Sequence, residues 1–156
     1  MSTTSHLAPS AVELDELLCF DLYAAQRAVT AAYRPVLARL GLTYPQYLVL
    51  VLLWGRGECT VREVADALRL DHGTLTPLLR RMETAGLLTR RRGTDDERTV
   101  LVALTPAGDA LRVHRDEVQC HVAEAIGLGE RDIAALQQLL RHVTAATEAA
   151  EAADAG

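Results

Sequence analysis

Apolar residues recur at alternating steps of four and three from Leu18 through Leu22, Ala25, Val29 and Ala32 to Val36. That spacing predicts one long helix, from Val12 to about Leu40, with a seam able to pack on another helix along its length. Pro35 should bend it and Gly41 should stop it. Thr43 is placed to cap a second helix with Pro45 in its first turn. This helix, Gln46 to about Trp54, is apolar nearly all round and so reads as buried. Thr60 and Glu63 make a capping box ahead of one apolar face, formed by Val61, Val64, Ala65 and Leu68. Asp71 can cap the next helix, His72 to about Ala85, whose inner face is Leu75, Leu78, Leu79 and Met82; Gly86 closes it. Two short helices joined by a tight turn form a helix-turn-helix.

Beyond Gly86 the period changes. The runs 87–92 and 99–105 are strand-like, and their alternation and β-branched residues predict a hairpin. Thr105 and Pro106 start a helix to about Ile126, and Gly129 starts another through about Ala150. Leu111, Val118, Val122 and Ile126, then Ile133, Leu136, Leu140 and Val143, suit packing against the first helix. The predicted fold is mainly α with a small β wing. A winged helix-turn-helix at 45–104 sits between long dimerisation helices at 12–40 and 106–150, all in one domain, 12–150. Residues 1–11 read as a disordered leader and 151–156 as a frayed tail.

The net charge of −5 argues against nucleic acid until its distribution is read. From Arg56 to Arg92 there are 8 arginines and 5 acidic residues, a balance of +3; the remainder, with 8 arginines and 16 acidic residues, carries −8. A basic middle between acidic arms fits a nucleic-acid module in an acidic scaffold, with a plain solvated face as the bland alternative. Helical phase turns His72, Thr74, Thr76, Pro77, Arg80 and Arg81 outward from the second helix of the pair, where they suit base edges and phosphates. Arg90, Arg91, Arg92 and Arg98 crowd onto the hairpin, placed to lie over phosphates or in the minor groove. The longest apolar run, Leu48 to Trp54, is too short to span a bilayer. The first ten residues have neither the basic region nor the apolar core of a signal peptide. A cytoplasmic protein without membrane association is expected.

Three cysteines, Cys19, Cys59 and Cys120, are far apart and odd in number, and no CxxC pair exists. Neither a zinc site nor a stable intrachain disulfide is expected. His114 and His121 share a helix face but lack a thiol or carboxylate triad; they read as solvated surface rather than metal ligands, and no cofactor is expected. Cys59, in the turn before the capping box, reads as a small filler residue.

Cys19 is different. Beside the apolar seam runs a second row, Cys19, Tyr23, Gln26, Thr30, Tyr33 and Leu37. Cys19 and Tyr23, at i and i+4, can touch. Tyr33 points almost the same way but lies 14 residues on, roughly 21 Å along the axis. It could reach only the Cys19 of a second copy crossing around a two-fold axis. Nucleophilic chemistry at sulfur needs the thiolate. Asp15 and Glu16 bring negative charge and no arginine lies within a turn, so tyrosine hydroxyls donating to the sulfur are the compensating feature. A lone helix cysteine can equally be buried and inert. Cys120 falls off the apolar row of Val118, Val122 and Ala125. On a C-terminal helix of a dimer it could act as a resolving thiol toward the partner's Cys19, or be an exposed bystander.

The order helix, helix, helix-turn-helix, wing, two long helices resembles the MarR family of bacterial dimeric transcriptional regulators. The stretch DERTVLVALTPAG, Asp96 to Gly108, is similar to that family's wing signature, with Asp96 and Arg98 as its D-x-R start. LCFDLYAAQRAVTAAYRPVLARLGLTYPQYLVLVLLW and LDHGTLTPLLRRME resemble more specifically the organic-hydroperoxide repressor branch, OhrR. The likeness spans about Leu14 to Ala107. It implies a homodimeric repressor on double-stranded DNA with a pseudo-palindromic operator, released when an organic hydroperoxide oxidises the N-terminal cysteine. By position, Cys19 would be the peroxidatic thiol. Tyr23, with Tyr33 and Tyr44 of the partner subunit, would donate hydroxyl hydrogen bonds to its sulfur, and Asp96 and Arg98 would brace the wing. His72 departs from the small hydroxyl residue expected at the start of the recognition helix. Two rival functions stay open: a regulator of this fold released by a small aromatic or phenolic ligand in the dimer cleft, and a peroxide-consuming thiol enzyme, for which no motif is present.

Overall fold

Three predicted polar caps, Thr43, Thr60 and Asp71, each precede a helix. In the computed structural model, which describes residues 13–93 and 98–154, Gln46 Oε1 accepts the Thr43 amide at 2.9 Å. Thr60 and Glu63 cap each other: Glu63 Oε2 accepts the Thr60 amide at 2.7 Å and Thr60 Oγ1 accepts the Glu63 amide at 3.1 Å. Asp71 Oδ1 accepts the Thr74 amide at 2.8 Å. Each bond satisfies an N–H that the first helical turn leaves without a partner.

The element order is α1 (Leu18–Arg39), α2 (Tyr44–Arg56), β1 (Cys59–Thr60), α3 (Val61–Leu68), α4 (His72–Thr84), β2 (Leu88–Arg92), β3 (Val100–Leu104), α5 (Pro106–Ala110), α6 (Arg115–Ile126) and α7 (Glu130–Asp154). The hairpin is antiparallel, with Leu88 opposite Leu104 and Arg92 opposite Val100. The sequence does not announce β1; its two residues pair with β3 and give a sheet of order β1-β3-β2. Between α3 and α4, Arg69 takes a left-handed φ of 54°, and the Leu70 amide returns to the Ala65 carbonyl at 3.0 Å.

One core unites α2, the helix-turn-helix and the sheet. Val49, Leu50, Leu53, Val64, Leu75, Leu78, Leu79, Met82, Leu88 and Val102 are all buried in it, with Val36 and Leu37 from α1 and Val118 from α6. Each such side chain contributes about 1.5–3 kcal/mol on burial. The predicted inner faces of α3 and α4 are the observed ones.

Three boundaries differ from expectation. A 3-10 turn at Leu14–Glu16 and an extended Leu17 delay α1 to Leu18, so Cys19 lies in its first turn rather than in mid-helix. The helix then continues through Pro35. The single helix expected after Pro106 is broken by a 3-10 turn at Leu111–His114. There the Trp54 indole donates to the Gly108 carbonyl at 3.2 Å, and Arg112 Nη2 donates to the Trp54 carbonyl at 2.6 Å. The approach is so close that a Cβ on Gly108 would run into the Leu87 carbonyl oxygen. Finally, α7 extends to Asp154, so 151–154, expected to fray, are helical, in keeping with their alanine and glutamate content. The leader at 1–11 lies outside the described residues.

The predicted packing of the last helices on the first holds for α6 alone. Val118 and Val122 are buried, and Arg39 Nη2 meets Glu117 Oε1 at 2.6 Å. Ile126 is exposed, and α7 has no buried residue: Ile133 and Val143 are half-covered and Leu136, Leu139 and Leu140 lie open. An ion pair of Arg69 with Glu148 ties its far end to the turn of the helix-turn-helix. No single helix among the described residues is long and apolar enough to cross a membrane.

Candidate DNA-binding surface and cysteine site

The buried stripe Leu75, Leu78, Leu79 and Met82 orients α4, which leaves His72, Thr74, Pro77, Arg80 and Arg81 exposed and Thr76 half-buried. One of these is partly engaged at home, since the Thr74 hydroxyl donates to Asp71 Oδ2 at 2.9 Å. On the wing, Arg92 and Arg98 are exposed. Arg90 and Arg91, expected over phosphates, instead hold carboxylates. Arg90 donates from Nε and Nη2 to Glu83 Oε2 at 3.0 and 2.7 Å, and Arg91 donates to both oxygens of Glu58, the shorter at 2.7 Å. Asp96, the expected wing brace, lies outside the described residues. A cleft of ≈ 560 Å³ opens between α3, α4 and the wing, lined by Arg62, His72, Thr76, Arg90 and Arg98 among others.

The cysteine site is divided. Cys19 and Tyr23 lie near the start of α1, both exposed. Tyr23 accepts from Arg27 Nη1 at 3.2 Å, and that guanidinium lies 5.5 Å from the ring centroid. Spacing of i and i+4 is the signal in the sequence that makes this partner legible. Near the other end of α1, Tyr33 stacks with Tyr44 at 4.7 Å and with Tyr47 at 5.9 Å. So Tyr33 and Tyr44 come together, while Cys19 stands 14 residues away on the same helix. Burial, reinforced by the neighbouring tyrosines, raises the Tyr33 and Tyr44 hydroxyls above the usual phenol value. Both therefore stay protonated donors across the physiological range. Cys120 is exposed on α6.

Residues 31–113 match the family described as transcriptional regulator SarA/Rot. The organic hydroperoxide resistance transcriptional regulator of Bacillus subtilis is 50% identical over 101 residues, covering 65% of this chain and 69% of that protein. Among solved structures, a MarR variant from Escherichia coli complexed with operator DNA is 26% identical, covers 85% of this chain and 99% of its own, and has a TM-score of 0.75. This chain belongs to the MarR-type winged-helix transcriptional regulators. A further neighbour in structure is overoxidised AbfR bound to DNA, 30% identical, covering 84% of this chain and 93% of its own, with a TM-score of 0.68. AbfR, from Staphylococcus epidermidis, is also solved reduced on DNA and in a disulfide-formed state.

The helix-turn-helix and wing of this MarR-type regulator form the candidate DNA-binding surface. Cys59 is buried in the core behind it, where burial, and then Glu63, raises its thiol above the usual value. That suits the filler role. His114 Nδ1 lies 3.5 Å from Glu117 Oε2, and no group of three metal-binding side chains occurs among the described residues.

Proposed function

We propose that this MarR-type regulator is a homodimeric repressor that releases a pseudo-palindromic operator when an organic hydroperoxide oxidises Cys19. The observation that carries this is the position of Cys19: an exposed thiol in the first turn of α1, on a helix end whose apolar residues are uncovered, with Leu18 63% exposed. A second copy laid across that end covers Leu18 and brings its own Tyr33 and Tyr44 toward the sulfur. The two hydroxyls, held protonated, then donate to the thiolate. The sulfur attacks one peroxide oxygen, the O–O bond breaks, and the alcohol leaves with a proton, giving sulfenic acid. Exposed Cys120 can complete a second step: its thiolate attacks the sulfenic sulfur, an S–S bond forms and water leaves. The likeness to the Bacillus regulator and to AbfR supports the reading. His72, Thr74, Thr76, Pro77, Arg80, Arg81, Arg92 and Arg98 are the proposed DNA contacts.

A non-reducing gel with intact-mass analysis, after about one equivalent of organic hydroperoxide per subunit, tests it. The expected product is a covalent dimer, absent in Cys19→Ser and in Cys120→Ser, with Cys19→Ser still binding DNA but deaf to peroxide. A mass gain at Cys19 without crosslinking removes Cys120 alone. Peroxide release of Cys19→Ser from DNA sinks the mechanism.

One feature favours a second reading. A cleft of ≈ 380 Å³ beside α1 and α2 is lined by Thr30, Arg34, Leu37, Tyr44 and Pro45. Mostly apolar walls with one arginine suit a small aromatic acid. Release by such a ligand with no change in thiol mass would favour it.

A further inference from the structure

We infer that Glu83 and Arg90 form a positioning clamp that fixes the wing against the recognition helix, so that Arg90 sets the geometry of DNA reading without itself contacting phosphate. Glu83 lies in the last turn of α4, Arg90 in the middle of β2. The Arg90 guanidinium grips Glu83 Oε2 through Nε and Nη2, and the Arg90 backbone amide donates to Glu83 Oε1 at 3.1 Å. One carboxylate thus takes three donors from one residue, two that place its side chain and one that places the strand. Strand β2 is an outer strand of the sheet, so this amide points away from β3, and Glu83 satisfies it there. The next residue repeats the device on the other face. Arg91 holds Glu58, which leads into β1, through Nε at 3.2 Å and Nη2 at 2.7 Å. Successive side chains of a strand face opposite ways, so the base of the wing is held toward α4 on one side and toward β1 on the other.

Charge alone makes the opposite forecast. A carboxylate beside a DNA-binding surface repels phosphates, and its removal should tighten binding to any duplex. A clamp makes its removal loosen binding to the right duplex only.

The test compares a duplex selected from a random-sequence library by the wild-type protein with a scrambled duplex of the same composition, titrated by fluorescence anisotropy over a salt series. Glu83→Gln should lose about tenfold in affinity for the selected duplex, with binding to the scrambled one unchanged or tighter. Arg90→Gln should lose as much, with an unchanged slope of log affinity against log salt. A lost phosphate contact would lower that slope by about 0.9. The double variant should lose no more than either single one. Glu83→Asp, which keeps the charge and shortens the reach, should also lose selectivity, and it serves as the test if Glu83→Gln unfolds. Equal or tighter binding of the selected duplex by Glu83→Gln, or a lowered salt slope for Arg90→Gln with equal loss on both duplexes, overturns the inference.

Discussion

The two halves of this regulator are finished to different degrees by a single chain. In the helix-turn-helix half, every residue predicted for the inner face of α4 is buried, and the sheet and α2 close over it. In the other half, α7 runs 25 residues without one buried side chain, and the start of α1 leaves Leu18 and Tyr23 in the open. Most helical stability in proteins comes from packing an amphipathic face, and α7 finds almost none of it within its own chain. On the proposed function, the DNA-reading surface is built by one chain, while the relation between two such surfaces belongs to a pair. A signal that alters the pairing surface can move the readers apart without touching their cores.

The largest expected effect attacks the unfinished half. Leu136→Glu combined with Leu139→Glu places charge on the open face of α7. Sedimentation should show a monomer, and affinity for a two-half-site duplex should fall on the order of a hundredfold or more, because the second half-site is no longer tethered to the first. Thermal unfolding of the helix-turn-helix half should become independent of protein concentration. A variant that still sediments as a dimer would place the pairing surface away from α7.

The same division explains what the sequence revealed. The helix-turn-helix was legible because its signals are local: Thr60 with Glu63, Asp71 before Thr74, and apolar faces at helical spacing all act within one turn. Tyr33 and Tyr44, expected to donate to a partner's Cys19, stack on each other at 4.7 Å, and their reach to that sulfur belongs to the proposal. Less legible was whatever depends on distant chain. Two-residue β1 is too short to alternate and exists through its pairing with β3. The start of α1 at Leu18 overrides an apolar pattern that runs on unbroken from Leu14. Arg90 and Arg91 read as free cations because their carboxylate partners lie 7 and 33 residues away on other elements. Periodicity gave α7 an apolar face expected to pack on α1, and the chain by itself leaves that face uncovered.

A smaller effect probes the finished half. Gly108→Ala sets a methyl group against the Leu87 carbonyl oxygen, a backbone atom that cannot swing aside. The joint between α5 and the hairpin must open, weakening the Trp54 indole bond to the Gly108 carbonyl. Urea unfolding should show a loss of about 2 kcal/mol, in the range for forced overpacking. Because this joint lies within one chain, the loss should persist in the monomeric α7 variant and add to its effect.

The smallest effect is a cap. Thr60→Ala removes the acceptor of the Glu63 amide and one donor to the Glu63 carboxylate, and should cost about 1 kcal/mol. Its pH dependence separates cap from core. Hydrogen bonds from the Thr60 amide and then its hydroxyl hold Glu63 below its ordinary value of 4.5. A carboxylate with a depressed folded value stabilises fully above that ordinary value, and the contribution disappears as pH falls through the folded one. The difference between wild type and Thr60→Ala should therefore be constant above 4.5 and narrow in more acid solution. A difference that stays constant down to acid unfolding would mean that the hydroxyl acts through the Glu63 amide alone. The bond from the Thr60 hydroxyl to the Glu63 carboxylate would then contribute nothing to the α3 start.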